Sequence, residues 1–359
     1  MSSRKNARPY RLITLVTVLL VTVLLLTACT STPPVSTSAP EAPPAPEAPP
    51  APEVPPSPEV QVETLAYGDL EAQILDLYTP TQRAERPMSV AVLAHGGLWR
   101  TGDKDELEKL CEMVVIRSGG RMACASINYR LSNELGGVCA SPGTTTYREQ
   151  LMDMSLAFEY LQSKAASYHL NPDAMVVGGH SAGGHLGHVF NLRWQEYAQD
   201  CSHRSGCRPM LGAVGFEGIY DVTTWDAYDA SHWGGRFSCA TRKAFGSPPS
   251  EPPPCMDENL DLPCWDVGSP TYLAKNSVDL GLSPVGAALI IHSPEDDWVD
   301  ISEATQFGDA MTAAFPEARV ITSTDGTCAT GQHNKMLRQA GLADCMIHFT
   351  LSGGERITP

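Results

Sequence analysis

Short apolar runs alternate with stretches of helical spacing along most of the chain. Strands are predicted at residues 73–78, 90–94, 121–127, 174–178, 211–216, 287–292 and 319–323. Residues 106–117, 147–168 and a stretch near 302–314 carry helical patterns between them. In 147–168, Leu151, Met154, Ala157, Phe158 and Leu161 fall on one face. Residues 334–340 read as a short helix and 345–351 as one more strand. This alternation specifies an α/β fold, a mostly parallel central sheet with helices on both faces. Residues 222–271 interrupt it, because they have no clear period and are rich in Trp, Pro and Cys.

The first thirty residues read as a targeting segment. Arg4, Lys5, Arg8 and Arg11 form a basic region without acidic residues, and residues 12–26 form an apolar run. The run is short for a membrane span, which needs ~20 residues, and suits a signal sequence. It ends in Leu26-Thr27-Ala28-Cys29, which resembles a bacterial lipobox. That resemblance implies cleavage after residue 28 and lipidation of Cys29; the alternative is an uncleaved anchor helix. Both readings put the rest of the chain outside the cytoplasm. Twelve of the 29 prolines fall in residues 33–58, with Ala, Glu, Ser and Thr between most of them. Such a stretch has little to bury and favours extended polyproline II. Residues 29–59 are expected to be a disordered spacer, with a docking site for a proline-recognising partner as the rival. Residues 60–359 then form one domain, although a 359-residue length alone would suit two.

Charge narrows the partners. Lys+Arg total 25 against Asp+Glu 41, a net charge of −16, which argues against nucleic acid. Apart from Cys29, ten cysteines occur: Cys111, Cys124, Cys139, Cys201, Cys207, Cys239, Cys255, Cys264, Cys328 and Cys345. An even number in an exported domain suggests disulfides. Cys201–Cys207, Cys255–Cys264 and Cys328–Cys345 are plausible local bridges. Without a Cys-x-x-Cys pair the case for zinc is weak, and no cysteine sits in an activating motif.

Gly179-His180-Ser181-Ala182-Gly183 fits Gly-x-Ser-x-Gly between a strand and a helical pattern. A serine on so sharp a turn needs small neighbours two positions away, and the following helix N-terminus faces the reaction centre. In folds built on this turn, the partners follow in the order serine, acid, histidine. Ser293-Pro294-Glu295-Asp296-Asp297-Trp298-Val299 comes after the strand at 287–292. Asp296 is the expected acid, with Val299 three residues on; Asp297, Glu295 and Asp221 are its rivals. His333 follows the last strand and is the expected base. Upstream, His95-Gly96-Gly97-Leu98-Trp99 closes a strand. Its adjacent glycines let backbone N–H groups approach a substrate oxygen. Gly96 and Gly97 belong to this loop. The N–H groups of Gly97 and Ala182, with Leu98, are expected to bind an oxyanion, and His95 to pin the loop.

With these motifs the sequence resembles the α/β-hydrolase fold. It is most similar to the branch with His-Gly-Gly loops: hormone-sensitive-lipase-like esterases, feruloyl-esterase-like proteins and kynurenine formamidases. Tyr67-Gly68, Leu75 to Pro80, Tyr129-Arg130-Leu131, the elbow, Asp296 and His333-Asn334 carry the resemblance with His95 to Trp99, which matches the His-Gly-Gly-x-Trp form of kynurenine formamidases. It covers most of residues 64–340. Export and cysteine content depart from kynurenine formamidases, which are generally intracellular and cysteine-poor. The resemblance implies a serine hydrolase of carboxylic esters or small activated amides. No metal or organic cofactor is expected. Residues 222–271 are expected to arch over the site as a lid or substrate wall. The alternatives are an extracellular peptidase or polysaccharide deacetylase, and a non-catalytic binding module.

Overall fold

Eight strands form one sheet in the order β1-β2-β4-β3-β5-β6-β7-β8. They are β1 Val60–Ala66, β2 Ile74–Pro80, β3 Met88–Ala94, β4 Met122–Ile127, β5 Leu170–His180, β6 Gly212–Phe216, β7 Ala287–Ile291 and β8 Val320–Ser323. β1 pairs antiparallel with β2, and β2 antiparallel with β4. All other pairings are parallel. The computed structural model describes residues 57–82, 84–132, 145–198, 208–251 and 253–353. The expected signal, Cys29 and most of the proline-rich segment lie outside the described residues, as do Cys139, Cys201 and Cys207. None of the described helices is long and apolar enough to cross a membrane.

The central strands read as unbroken apolar runs because both sheet faces are covered. Val90, Val92 and Ala94 of β3 enter one core and Ala91 and Leu93 the other. Ala288 and Ile290 of β7 separate from Leu289 and Ile291 in the same way. Helices Tyr147–Ser163, Ala182–Leu192 and Ser302–Ala314 cover the first face through residues such as Phe158, Leu186 and Phe307. Helices Glu108–Arg117 and Ala340–Leu351 cover the second through Val114, Met346 and Phe349.

Several boundaries differ from expectation. Residues 345–351 are not a strand but the end of helix Ala340–Leu351. Its buried Leu342, Ala343, Met346, Phe349 and Thr350 repeat at helical spacing, which the short apolar run conceals. Residues 334–340 hold a single 3-10 turn, Met336–Arg338, and the first residue of helix Ala340–Leu351. The helix expected at 147–168 divides at Lys164 into Tyr147–Ser163 and Ala165–Tyr168. β1 escapes the hydrophobic pattern because most of its residues are exposed.

The long insert is helical rather than irregular. It contains Val222–His232, Ser238–Phe245 and Cys264–Val267, and runs into Pro270–Lys275. Only Val222, Trp225 and Asp229 of its first helix are buried, too few to give a clear period. Phe245 packs edge-on to Trp99 at 4.9 Å and stacks on Tyr147 at 4.8 Å. Arg193 and Asp257, both fully buried side chains, form an ion pair at 3.1 Å that ties the insert to the end of helix Ala182–Leu192. The Cys255–Cys264 and Cys328–Cys345 disulfides form as expected. A third, Cys111–Cys124, joins helix Glu108–Arg117 to β4.

Candidate active site

Ser181 lies between β5 and helix Ala182–Leu192 with φ 52° and ψ −114°. An L-residue avoids this left-handed region unless its surroundings enforce it. Here β3 and β6 enforce it. Ser181 N–H donates to Phe216 O at 2.8 Å. A Cβ on Gly179 would lie 1.9 Å from Ala94 O, and one on Gly183 2.1 Å from the same atom. The two motif glycines therefore allow the turn to press against the end of β3. Ser181 is buried.

The His95–Trp99 loop faces this turn. Gly97, Leu98 and Trp99 have φ of 101°, 53° and 61°. Three consecutive left-handed residues belong to no helix or strand, so their amides are turned out of ladder pairing. A Cβ on Gly96 would lie 3.1 Å from Ser181 Cβ. His95 holds the loop as expected: its Nδ1 contacts Gly96 O at 2.8 Å, its ring stacks on Tyr129 at 4.5 Å, and Tyr129 O–H donates to His95 O at 3.0 Å. Trp99 adds a second anchor. Its indole N–H donates to His185 Nδ1 at 3.2 Å, and His185 Nε2 donates to Gly268 O at 2.6 Å. Burial lowers the His185 pKa to about 4, so the ring is neutral and both its nitrogens are used. Ala182 opens the helix, where a first-turn N–H has no intrahelical acceptor.

His333 and Asp296 come together. His333 Nδ1 donates to Asp296 Oδ2 at 2.8 Å. Asp296 Oδ1 accepts the N–H groups of Trp298 at 2.8 Å and Val299 at 3.2 Å. His292 Nε2 lies 3.2 Å from Asp296 Oδ2. Burial alone would raise this carboxyl's pKa, but the His292 and His333 hydrogen bonds outweigh it and hold it well below the usual range. The rivals are placed elsewhere. Glu295 and Asp297 are exposed, and Asp221 caps helix Val222–His232 by accepting the N–H groups of Thr223 and Thr224. Ser181 Oγ makes no hydrogen bond to His333 among the described residues. The two segments meet through His180, whose ring lies 4.6 Å from His333 and whose Nε2 reaches His333 O at 3.1 Å. Catalytic hydrogen bonds without substrate are often long and tighten on binding.

One buried group escaped sequence reasoning. Glu217 Oε2 lies 3.3 Å from both His333 Nδ1 and His180 Nε2. Burial first, then the charges of Asp296 and Asp297, push its carboxyl up to about 10. The available signal was a charged residue directly after the apolar run of β6, at the carboxyl end of the sheet where α/β sites lie. His180, Glu217 and His333 bring polar atoms within 4.8 Å of one another, and hydrogen bonds to Asp296 and to His333 O already engage the two rings.

Aromatic residues border His333. Trp298 stacks on its ring with centroids 5.8 Å apart and planes 4° apart. Phe237 of the insert stacks on Trp298 at 5.6 Å, and Trp233 meets Phe237 edge-on at 6.4 Å. The insert thus reaches the site through this aromatic series.

Residues 75–311 match the family described as BD-FAE. The chain is 26% identical over 265 residues to kynurenine formamidase avaC of Aspergillus versicolor, covering 69% of this chain and 83% of that protein. It is 29% identical over 147 residues to the probable carboxylic ester hydrolase LipM of Mycobacterium tuberculosis, covering 38% of this chain and 28% of that one. Among solved structures, esterase B of Lactobacillus rhamnosis superposes with a TM-score of 0.60 at 18% identity, covering 82% of this chain and 87% of that one. A bacterial heroin esterase superposes with a TM-score of 0.56 at 18% identity, covering 83% and 85%. The shared fold is that of the α/β hydrolases.

Proposed function

The chain belongs to the BD-FAE family, and from that premise we propose that it is a serine hydrolase of carboxylic esters and small activated amides. One observation carries the proposal: Ser181 holds a left-handed φ at the strand-to-helix turn, its neighbour His180 packs 4.6 Å from the His333 ring, and His333 Nδ1 is held at 2.8 Å by Asp296. In this reading Ser181 Oγ attacks the substrate carbonyl while its proton passes to His333 Nε2. Asp296 holds the imidazole in the tautomer with the proton on Nδ1 and offsets the positive charge as it forms. The carbonyl electrons move onto oxygen, where the N–H groups of Gly97, Leu98 and Ala182 stabilise them. Collapse expels the alkoxide or amine, which takes the proton from His333, and leaves an acyl-serine. Water then repeats the sequence and frees the acid. The named ester hydrolases and formamidase among its relatives support this substrate range. Ser181→Ala should lower kcat on p-nitrophenyl acetate by several orders of magnitude. A variant that folds and keeps near-full activity would refute the assignment.

We further propose that the enzyme is exported and anchored through a lipid on Cys29, with residues 29–59 as the tether. Leu26-Thr27-Ala28-Cys29 supports this. So do the disulfides, which persist in oxidising compartments. Radiolabelled palmitate should enter the wild-type protein but not Cys29→Ala in a bacterial host. Equal labelling of both would contradict the anchor.

A further inference from the structure

The proposed triad uses one carboxylate, yet His333 Nδ1 faces two. Asp296 Oδ2 is 2.8 Å away and Glu217 Oε2 is 3.3 Å away. Glu217 is fully buried and reaches this position at a cost. Its φ is 50°, a left-handed conformation that L-residues avoid unless their surroundings enforce it. Its N–H donates to Ile291 O at 2.8 Å, which holds the bend at the end of β6 against the end of β7. Its Oε1 is buried and makes no short hydrogen bond, and the backbone of Ser293 gives the carboxyl only its smallest electrostatic contribution.

We propose that Glu217 is a positioning residue for His333, a second acid that shares its Nδ1–H with Asp296 and takes over the anionic role when Asp296 is lost. The proposal rests on the serine-hydrolase reading above. Two carboxylates this close to one imidazole cannot both be charged cheaply in a buried site. The donors decide which one is. Asp296 accepts two backbone N–H groups and faces two imidazoles. Glu217 faces His180 and His333 with its Oε2, at the longer distance of 3.3 Å to each. The negative charge therefore settles on Asp296, and Glu217 keeps its proton, in line with a carboxyl pushed up to about 10 by burial and the nearby Asp296 and Asp297 charges. In the resting enzyme Glu217 is a weak second acceptor that restrains ring rotation. Removing the Asp296 charge removes a repulsion from Glu217 and leaves it as the carboxylate beside Nδ1. It then ionises and stabilises the imidazolium.

The test is a double-mutant cycle on p-nitrophenyl acetate with wild type, Glu217→Gln, Asp296→Ala and the double variant, and with Ser181→Ala as a separate control. Glu217→Gln should lower kcat several-fold in the wild type, with KM little changed. In the Asp296→Ala background the same change should lower kcat by at least tenfold more than it does in wild type. An equal factor in both backgrounds would overturn the proposal, because a residue that only packs the site has no reason to matter more when Asp296 is absent. Circular dichroism and melting check that each variant folds. Should Asp296→Ala fail to fold, Asp296→Asn replaces it, since its side-chain oxygen can still accept from Trp298 and Val299. Near-full activity in Ser181→Ala would instead count against the serine reading, independently of Glu217.

Discussion

Glycines decide how closely the surroundings of Ser181 pack. A methyl group on Gly183 would need space already held by Ala94 O at 2.1 Å and His95 O at 3.0 Å. Backbone cannot move aside as a flexible side chain can, so the helix would lift off β3 and carry the Ala182 N–H with it. Gly183→Ala should therefore lower kcat by more than a hundredfold. Gly119→Ala, at a position with nothing within 4 Å of an added Cβ but φ of 64°, should cost about 1 kcal/mol in stability and leave kcat alone. Matched kinetics for the two variants would contradict this account. Such glycines were legible in the sequence because the pentapeptide has a fixed mechanical meaning. Asp296 was legible down to a short run of acids, and burial then separated it from Glu295 and Asp297. Glu217 was not legible. Nothing in Phe216-Glu217-Gly218 announces a left-handed backbone, and the acid expected as a rival after β6 was Asp221, four residues further on.

The elements show where pattern reading succeeds and fails. Strands buried on both faces were found within a few residues, since their apolar runs have no other explanation beside helical neighbours. Helix Ala340–Leu351 was partly misread because Cys345 to Leu351 is apolar enough to pass for a strand. The insert hid its helices because the first buries only three residues and the others are eight and four residues long, held by ring contacts, an ion pair and a disulfide. Its reach to His333 through Phe237 and Trp298 predicts a specificity role. A planar group leaving toward this series can stack there, whereas a short alkyl group gains less. Trp298→Ala should raise KM for phenyl acetate several-fold more than for ethyl acetate. An unchanged ratio of the two KM values would remove the aromatic series from substrate binding.

At the scale of the molecule, buried acids set the pH response of the fold. Glu303 accepts the N–H groups of Tyr220 and Asp221 at 2.7 Å, yet its Oε1 is buried without a partner. Burial, followed by smaller contributions from Asp221 and Asp300, outweighs those hydrogen bonds and raises its carboxyl from an ordinary 4.5 to about 8. The folded state thus binds this proton more tightly than the unfolded chain does. Its contribution is full below the ordinary carboxylate range and is lost as pH rises toward about 8. Glu217 extends the same loss toward about 10. Asp296 acts in the opposite sense: its contribution is full above the ordinary carboxylate range and disappears in strong acid. Glu303→Gln should flatten the fall in Tm between about pH 5 and 8. A fall as steep as the wild type's would show that Glu303 does not carry it.

The claim on which the rest depends is that Ser181 is the nucleophile. Mass spectrometry of the intact and digested protein after treatment with a fluorophosphonate tests it most directly. One adduct is expected, on the peptide holding Gly179 to Gly183, and none on Ser181→Ala. A folded wild-type protein that takes no label, or one labelled equally with and without Ser181, would contradict it.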